Sequence, residues 1–315
     1  MANTKDDKTK VVSLFDTPMK RERYEVGIDI WRNPGQIHNA AFQHSVLCQT
    51  YLPYRDPGDD VTLWEHSQGK ASLNIQCLKE KNPETGEFIY LGLPYGTKAR
   101  LIMAYLNTQA IKNQSPIIDV ESSITSFIKS IGLSNKGKNF AEVKEQLARI
   151  AASVITLNYI TDDQRSLNVR FSLVKKYDLW FPKDEKQRVL WASRIQLTDD
   201  YYKELLEHAV PLDERALGAL KNSAMGLDIY TWLAQRLHRI SPSKGQFVSW
   251  QNLKDQFGSG YGSMRKFKQV FRHTLAIVHG QYLRARFKEI ENKGYMLEYS
   301  PPPIEKPIIS VGQLK

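Results

Sequence analysis

Residues 263–288 contain no aspartate or glutamate, yet their apolar positions obey a strict helical spacing. Met264, Phe267, Phe271, Leu275 and Val278 recur every three or four residues, which predicts a helix with one buried side. Arg265, Lys266, Gln269, Arg272 and His273 then fall on the opposite side, with Lys268 at the border. Such a helix needs a core beneath its apolar stripe, and its other side suits a polyanion, because solvated helix faces ordinarily mix both signs of charge.

After Gly280, residues 282–290 and 295–299 read as the strands of a hairpin. Glu291, Asn292, Lys293 and Gly294 join them, and Asn and Gly suit a tight turn. Helix followed by basic hairpin is the order in which a winged helix ends, so the spacing points to duplex DNA as partner. Ser263 opens the helix and is itself a DNA-binding candidate. Arg265, Lys268, Gln269 and Arg272 are candidates for base edges, since Arg and Lys pair with guanine and Gln with adenine in the major groove. Lys266, His273, Arg284, Arg286 and Lys288 are candidates for holding phosphates.

Upstream, residues 71–79 and 87–93 read as an antiparallel pair around a turn at residues 82–86. Leu101, Ile102, Tyr105, Leu106 and Ala110 predict a helix with Thr97 as its N-cap. A short strand at residues 117–120 and a helix over 124–131, closed by Gly132, come next. A helix over 140–155 and strands at 165–173 and 186–197 complete a first unit in winged-helix order. The second unit reads as helices over 199–208, 212–220 and 225–240. A short helix capped by Ser249 follows, and then the basic helix and hairpin. The fold class expected is therefore α+β, two tandem winged-helix domains with a flexible N-terminal arm. The arm spans residues 1–36, the first domain 37–198, the second 199–300, and an extended tail begins at the prolines of 301–303. Two groove-reading units would cover a direct repeat of roughly 20 base pairs.

A formal net charge of +10 over 315 residues fits an anionic partner. The two cysteines, Cys48 and Cys77, support neither a disulfide framework nor a cysteine zinc site. No apolar run reaches the roughly 18 to 20 residues of a membrane span, and a soluble, cytoplasmic protein is expected. Residues 132–139 nearly spell a phosphate-cradling loop, but Asn139 stands where Ser or Thr should hold magnesium, and a helix rather than a strand precedes it. A Gly- and Lys-rich turn remains, from which Lys136 and Lys138 could touch a phosphate backbone. The seven histidines form no pair with metal-ligand spacing, which weakens a metallohydrolase or a nicking enzyme. No catalytic residue, metal or cofactor is assigned. The periodicity of Tyr230, Trp232 and Trp250 favours core packing over base stacking.

The sequence Gly92-Leu93-Pro94-Tyr95-Gly96, followed by residues 99–106 (ARLIMAYL), resembles the opening of RepA-type plasmid replication initiators. The second half adds Val210-Pro211-Leu212-Asp213, residues 227–233 (LDIYTWL), Trp250, Gln256-Phe257-Gly258 and Phe267-Lys268 with Phe271. The resemblance implies a non-enzymatic protein that binds repeated duplex sites at a plasmid origin, promotes opening and recruits the host initiator and replicative helicase. It also implies two tandem winged helices, the second supplying the main base-reading helix, and a homodimer that represses. The matching helix of the first half offers Lys144 and Arg149 as DNA-binding residues, beside Glu142 and Glu145. A winged-helix transcriptional repressor without an initiation role is the alternative reading.

Overall fold

The structure is a computed structural model that describes residues 17–58, 60–81, 86–120, 128–129, 132–133, 137–160, 166–178 and 193–305. Helix α1, Pro18–Arg32, opens it: the Thr17 hydroxyl accepts from the Lys20 amide and Pro18 takes the first turn, where its missing N–H costs nothing. These residues belong to the arm expected to be flexible. Instead they carry a helix, because Gly27 lets α1 sit directly on the Gly280 carbonyl, 2.1 Å from where a Cβ would stand. Strand β1, Gly35–Gln36, follows the break at Asn33 and Pro34. Residues 1–16 lie outside the described residues.

In the first half, β2 is Ala40–His44, β3 Leu63–Gln68 and β4 Ala71–Cys77. Gly69 turns β3 into β4 with a positive φ of 58°. Strand β4 pairs with β3 on one side and with β8, Ser153–Ile160, on the other, and β9, Ser166–Ser172, completes a four-stranded antiparallel sheet. The pairing expected between residues 71–79 and 87–93 therefore shrinks to β5, Lys79–Lys81, with β6, Phe88–Tyr90. Strand β4 alternates buried Leu73, Ile75 and Cys77 with more exposed neighbours, and that apolar face is what the larger sheet covers.

Helix α2, Gly96–Lys112, has Tyr95 rather than Thr97 at its N-cap. Strand β7 is Ile117–Val120. Ile128 and Lys129 are helical, and their carbonyls accept from the amides of Leu133 and Gly132, with Gly132 at φ 74°. That is a Schellman ending, so Gly132 closes a helix as the sequence predicts. Most of the helix expected over 124–131 lies outside the described residues. Helix α3, Gly137–Ala151, is shorter than predicted, because Val154 and Ile155 leave the helix for β8. Strand β10 is Val174–Asp178 and β11 Ser193–Leu197, giving a second sheet in the order β10-β11-β7.

The second half begins with α4, Asp199–His208, as predicted. Strand β12, Ala209–Asp213, replaces the expected start of a helix and pairs with β2. Pro211 is tolerated there because its pair with Phe42 is a non-hydrogen-bonded one: the Phe42 amide turns away from β12 to the Thr108 hydroxyl at 2.8 Å, so no ladder bond is due from the Pro211 nitrogen. Helix α5 is Glu214–Leu220, capped by Asp213, and α6 is Ala224–Arg236, almost wholly buried. Strand β13, Gln246–Ser249, then leads into α7, Trp250–Phe257, where Ser249 Oγ accepts from the Asn252 amide as predicted. Helix α8, Met264–His279, follows, then β14, Phe287–Ile290, and β15, Gly294–Leu297, in a sheet ordered β13-β15-β14. Residues 282–286, predicted as strand, form turns. Residues 301–303 form neither helix nor strand, and β16, Ile304–Glu305, pairs in parallel with β1; the rest of the tail expected to be extended lies outside the described residues.

The main apolar core runs from Ala41 to Leu297 through both halves, and a smaller cluster gathers Ala40, Phe42 and Ile304. Across it, Arg100 of α2 donates Nε and Nη2 to the two oxygens of Asp228 on α6, at 2.7 and 2.8 Å, with both side chains under 10% exposed. The Arg100 guanidinium also donates to the carbonyls of Leu52, Pro53 and Gly96.

Candidate nucleic-acid interface

Helix α8 is held by Phe267, Phe271, Thr274, Leu275 and Val278, all buried. Trp250, 3% exposed, packs edge-on against Phe267, Phe271 and Tyr295 at 6.2, 5.7 and 5.4 Å between ring centroids. Burying each large aromatic is worth roughly 1.5–3 kcal/mol, so helix and hairpin are fixed through one shared ring. Tyr230 and Trp232 are buried as well, so all three aromatics serve packing, as the spacing predicts.

The outer face of α8 carries Arg265, Lys266, Gln269 and His273, all exposed, and Ser263 stands exposed at its N-cap. Lys266 Nζ lies 3.5 Å from Gln269 Oε1, so these two side chains share one strip. The border residues behave differently. Lys268 Nζ donates to the Asn292 carbonyl at 3.1 Å and lies 5.2 Å from the Trp250 ring centre. Arg272 donates Nε and Nη2 to the carboxylate of Glu289 at 2.9 and 2.5 Å, with its guanidinium 4.9 Å over Trp250. The hydrogen bonds from Arg272 hold the Glu289 carboxyl below the usual carboxylate range, and the same bonds raise Arg272.

Two of the four side chains proposed for base edges thus latch the helix to the hairpin. Glu289 was not singled out from the sequence, and Asn292 was named only as a turn residue. The available signal was that Glu289 is the first acid after the acid-free run, in a strand placed to fold back on the helix. On the hairpin, Arg286 and Lys288 are exposed, and Arg284 is half-buried in the turn before β14. Asn292 adopts φ 59° in the connecting turn, and at Gly294 a Cβ would fall 2.1 Å from the Val248 carbonyl, so only glycine lets β13 approach.

The first half presents no comparable strip among the described residues. Arg149, expected on DNA, is 6% exposed and turned inward, donating to the Leu93 carbonyl at 3.1 Å and to Asp56 at 3.3 Å. It also pairs with Glu145 at 2.7 Å and lies 5.0 Å from the Tyr95 ring centre. Its charge is consumed in anchoring the loop that contains Gly92, which has no side chain in the way of the guanidinium. Lys144 is half-buried on α3, and Lys98 pairs with Glu142 at 2.6 Å. Lys136 and the Lys138 side chain lie outside the described residues. Among the described residues, no three His, Cys, Asp or Glu side chains gather as a metal site, and no helix is long and apolar enough to cross a membrane.

No curated protein matches the chain. Two crystal structures of domains 2 and 3 of RctB are similar at 10% identity. One, of selenomethionine derivatives, covers 81% of this chain and 97% of its own with a TM-score of 0.48. The other covers 82% and 97% with a TM-score of 0.46. The family described as plasmid-encoded RepA protein matches residues 93–252, from the start of the loop before α2 into α7 and just short of α8. That match takes in half of the sequence and both halves of the core, and the chain belongs to the family of plasmid-encoded RepA proteins.

Proposed function

We propose that this chain is a plasmid replication initiator that reads duplex DNA with α8 and its hairpin, a winged helix formed by residues 224–297. The observation that carries the reading is the outer strip of α8, where Arg265, Lys266, Gln269 and His273 stand exposed with no carboxylate among them. The order of helix, strand, two helices and two strands, with β13 pairing β15, supports the winged-helix assignment. Arg265 and Gln269 are the base-edge readers in this proposal, and Lys266, Arg286 and Lys288 grip phosphates. No catalytic step is needed: binding repeated sites, easing the neighbouring duplex open and recruiting host replication proteins are all acts of association.

Selection of bound duplexes from a random pool tests the reading. An enriched consensus is expected, and affinity for it should fall with salt at a log–log slope of about −4, as about five phosphate contacts would give. Arg265→Ala should weaken the consensus about 10-fold more than random duplex, whereas Arg286→Ala should weaken both alike. A slope near zero, or no enrichment, would sink the proposal. Support for replication of an origin plasmid supplied in trans separates an initiator from a repressor using the same surface.

A further inference from the structure

The Arg272 and Glu289 pair does more than close the hairpin. A guanidinium has two bidentate edges, one formed by Nε and Nη2, the other by Nη1 and the second proton of Nη2. Glu289 takes the first edge with both carboxylate oxygens, at 2.9 and 2.5 Å. The Trp250 ring centre lies 4.9 Å from the guanidinium carbon and the Tyr295 hydroxyl donates to Glu289 Oε2 at 3.4 Å, so the acid itself is held by a second donor. On the second edge Nη2 makes a long contact to Asn292 Oδ1 at 3.4 Å, and Nη1 donates no hydrogen bond to an acceptor among the described residues. The Arg272 side chain is 39% exposed, more than the 29% of Glu289.

We infer that Glu289 is a specificity-determining, positioning residue: by holding one edge of Arg272 it presents the other, rigid and outward, to the O6 and N7 of a guanine in the major groove. The inference rests on the duplex-reading function proposed above. A free arginine adapts to a phosphate as readily as to a base, but an arginine clamped along one edge and stacked on a ring offers two parallel donors in one fixed direction. The carboxylate adds a second discrimination, because its charge repels phosphates that approach the same spot. Glu289 therefore trades general affinity for guanine at one position.

The test is random-pool selection with the full chain, followed by affinity for the consensus, for each single-position change and for random duplex. Glu289→Gln is expected to reduce the preference for one guanine about 10-fold, leave other positions as they are, and strengthen random-duplex binding severalfold. The exchanged pair R272E/E289R keeps an ion pair between helix and hairpin, and it should lose that same guanine preference. Thermal melting accompanies each variant. Should E289Q unfold, Arg272→Lys carries the test, since lysine keeps the charge but lacks the fork.

Three results would be decisive against the inference. Wild-type specificity in the exchanged pair would make the contact a mere clamp, as would an E289Q effect spread evenly over every position. Both leave the duplex-reading proposal standing. A wild-type chain that enriches no sequence overturns that proposal and this inference together.

Discussion

Replacing Asp228 with asparagine is expected to destabilise the whole chain by about 3–5 kcal/mol, the usual cost of leaving one member of a buried ion pair uncompensated. The Arg100 side chain, 7% exposed, sits in the seam between α2 and α6, and among the described residues Asp228 is the only formal negative charge bonded to it. Its other partners, the carbonyls of Leu52, Pro53 and Gly96, satisfy donors without neutralising charge. Because α2 belongs to the first half and α6 to the second, the damage should appear in both at once. Denaturant unfolding followed by tryptophan fluorescence and by far-ultraviolet dichroism checks this. A loss under about 1 kcal/mol would show that the seam relaxes or admits water.

Acid should be the second large perturbation. His44 accepts the Val46 amide at Nδ1, so a proton there would face another N–H, and burial pushes its pKa down to about 3. His66 packs on the Tyr51 ring at 4.0 Å between centroids, and burial lowers it to about 4. An unfolded histidine titrates near 6.5, so between that value and the depressed folded ones the unfolded chain binds more protons. Stability is therefore complete above about pH 7 and declines as the pH falls, by about 2 kcal/mol per histidine on reaching about pH 5. The sum of about 4 kcal/mol is a large share of a typical folding free energy. Melting temperatures at about pH 7.5 and about pH 5 measure it, and His66→Phe should recover about half of the loss. Equal stability at the two values would contradict the assignment of both rings as neutral and sealed.

What was legible in the sequence follows from what local physics decides. The spacing of Phe267, Phe271, Leu275 and Val278 fixed α8 without help from any distant residue, and Ser249 and Gly132 marked helix ends by their own hydrogen-bonding and torsional habits. Strand β8 was hidden because Val143, Leu147, Ile150 and Val154 keep a helical period past the point where β4 captures the chain. Strand β12 was masked by Pro211, whose missing donor is harmless at a pair where the opposing Phe42 amide turns away to Thr108 and no ladder bond is due. Cations were the least readable feature of the candidate site. Arg149 and Arg265 look alike in a helical pattern, and only the arrangement of Asp56, Leu93 and Tyr95 turns one of them inward.

The parallel pairing of Gly35 with Ile304 makes the segment after α1 and the last described strand structural neighbours, although most of the sequence separates them. Helix α1 leans on Gly280, at the far end of the helix proposed to enter the groove, and is kept there partly by a strand drawn from the opposite terminus. Deleting Gly35–Gln36 or Ile304–Glu305 is thus one and the same lesion, since among the described residues each strand's only β-partner is the other.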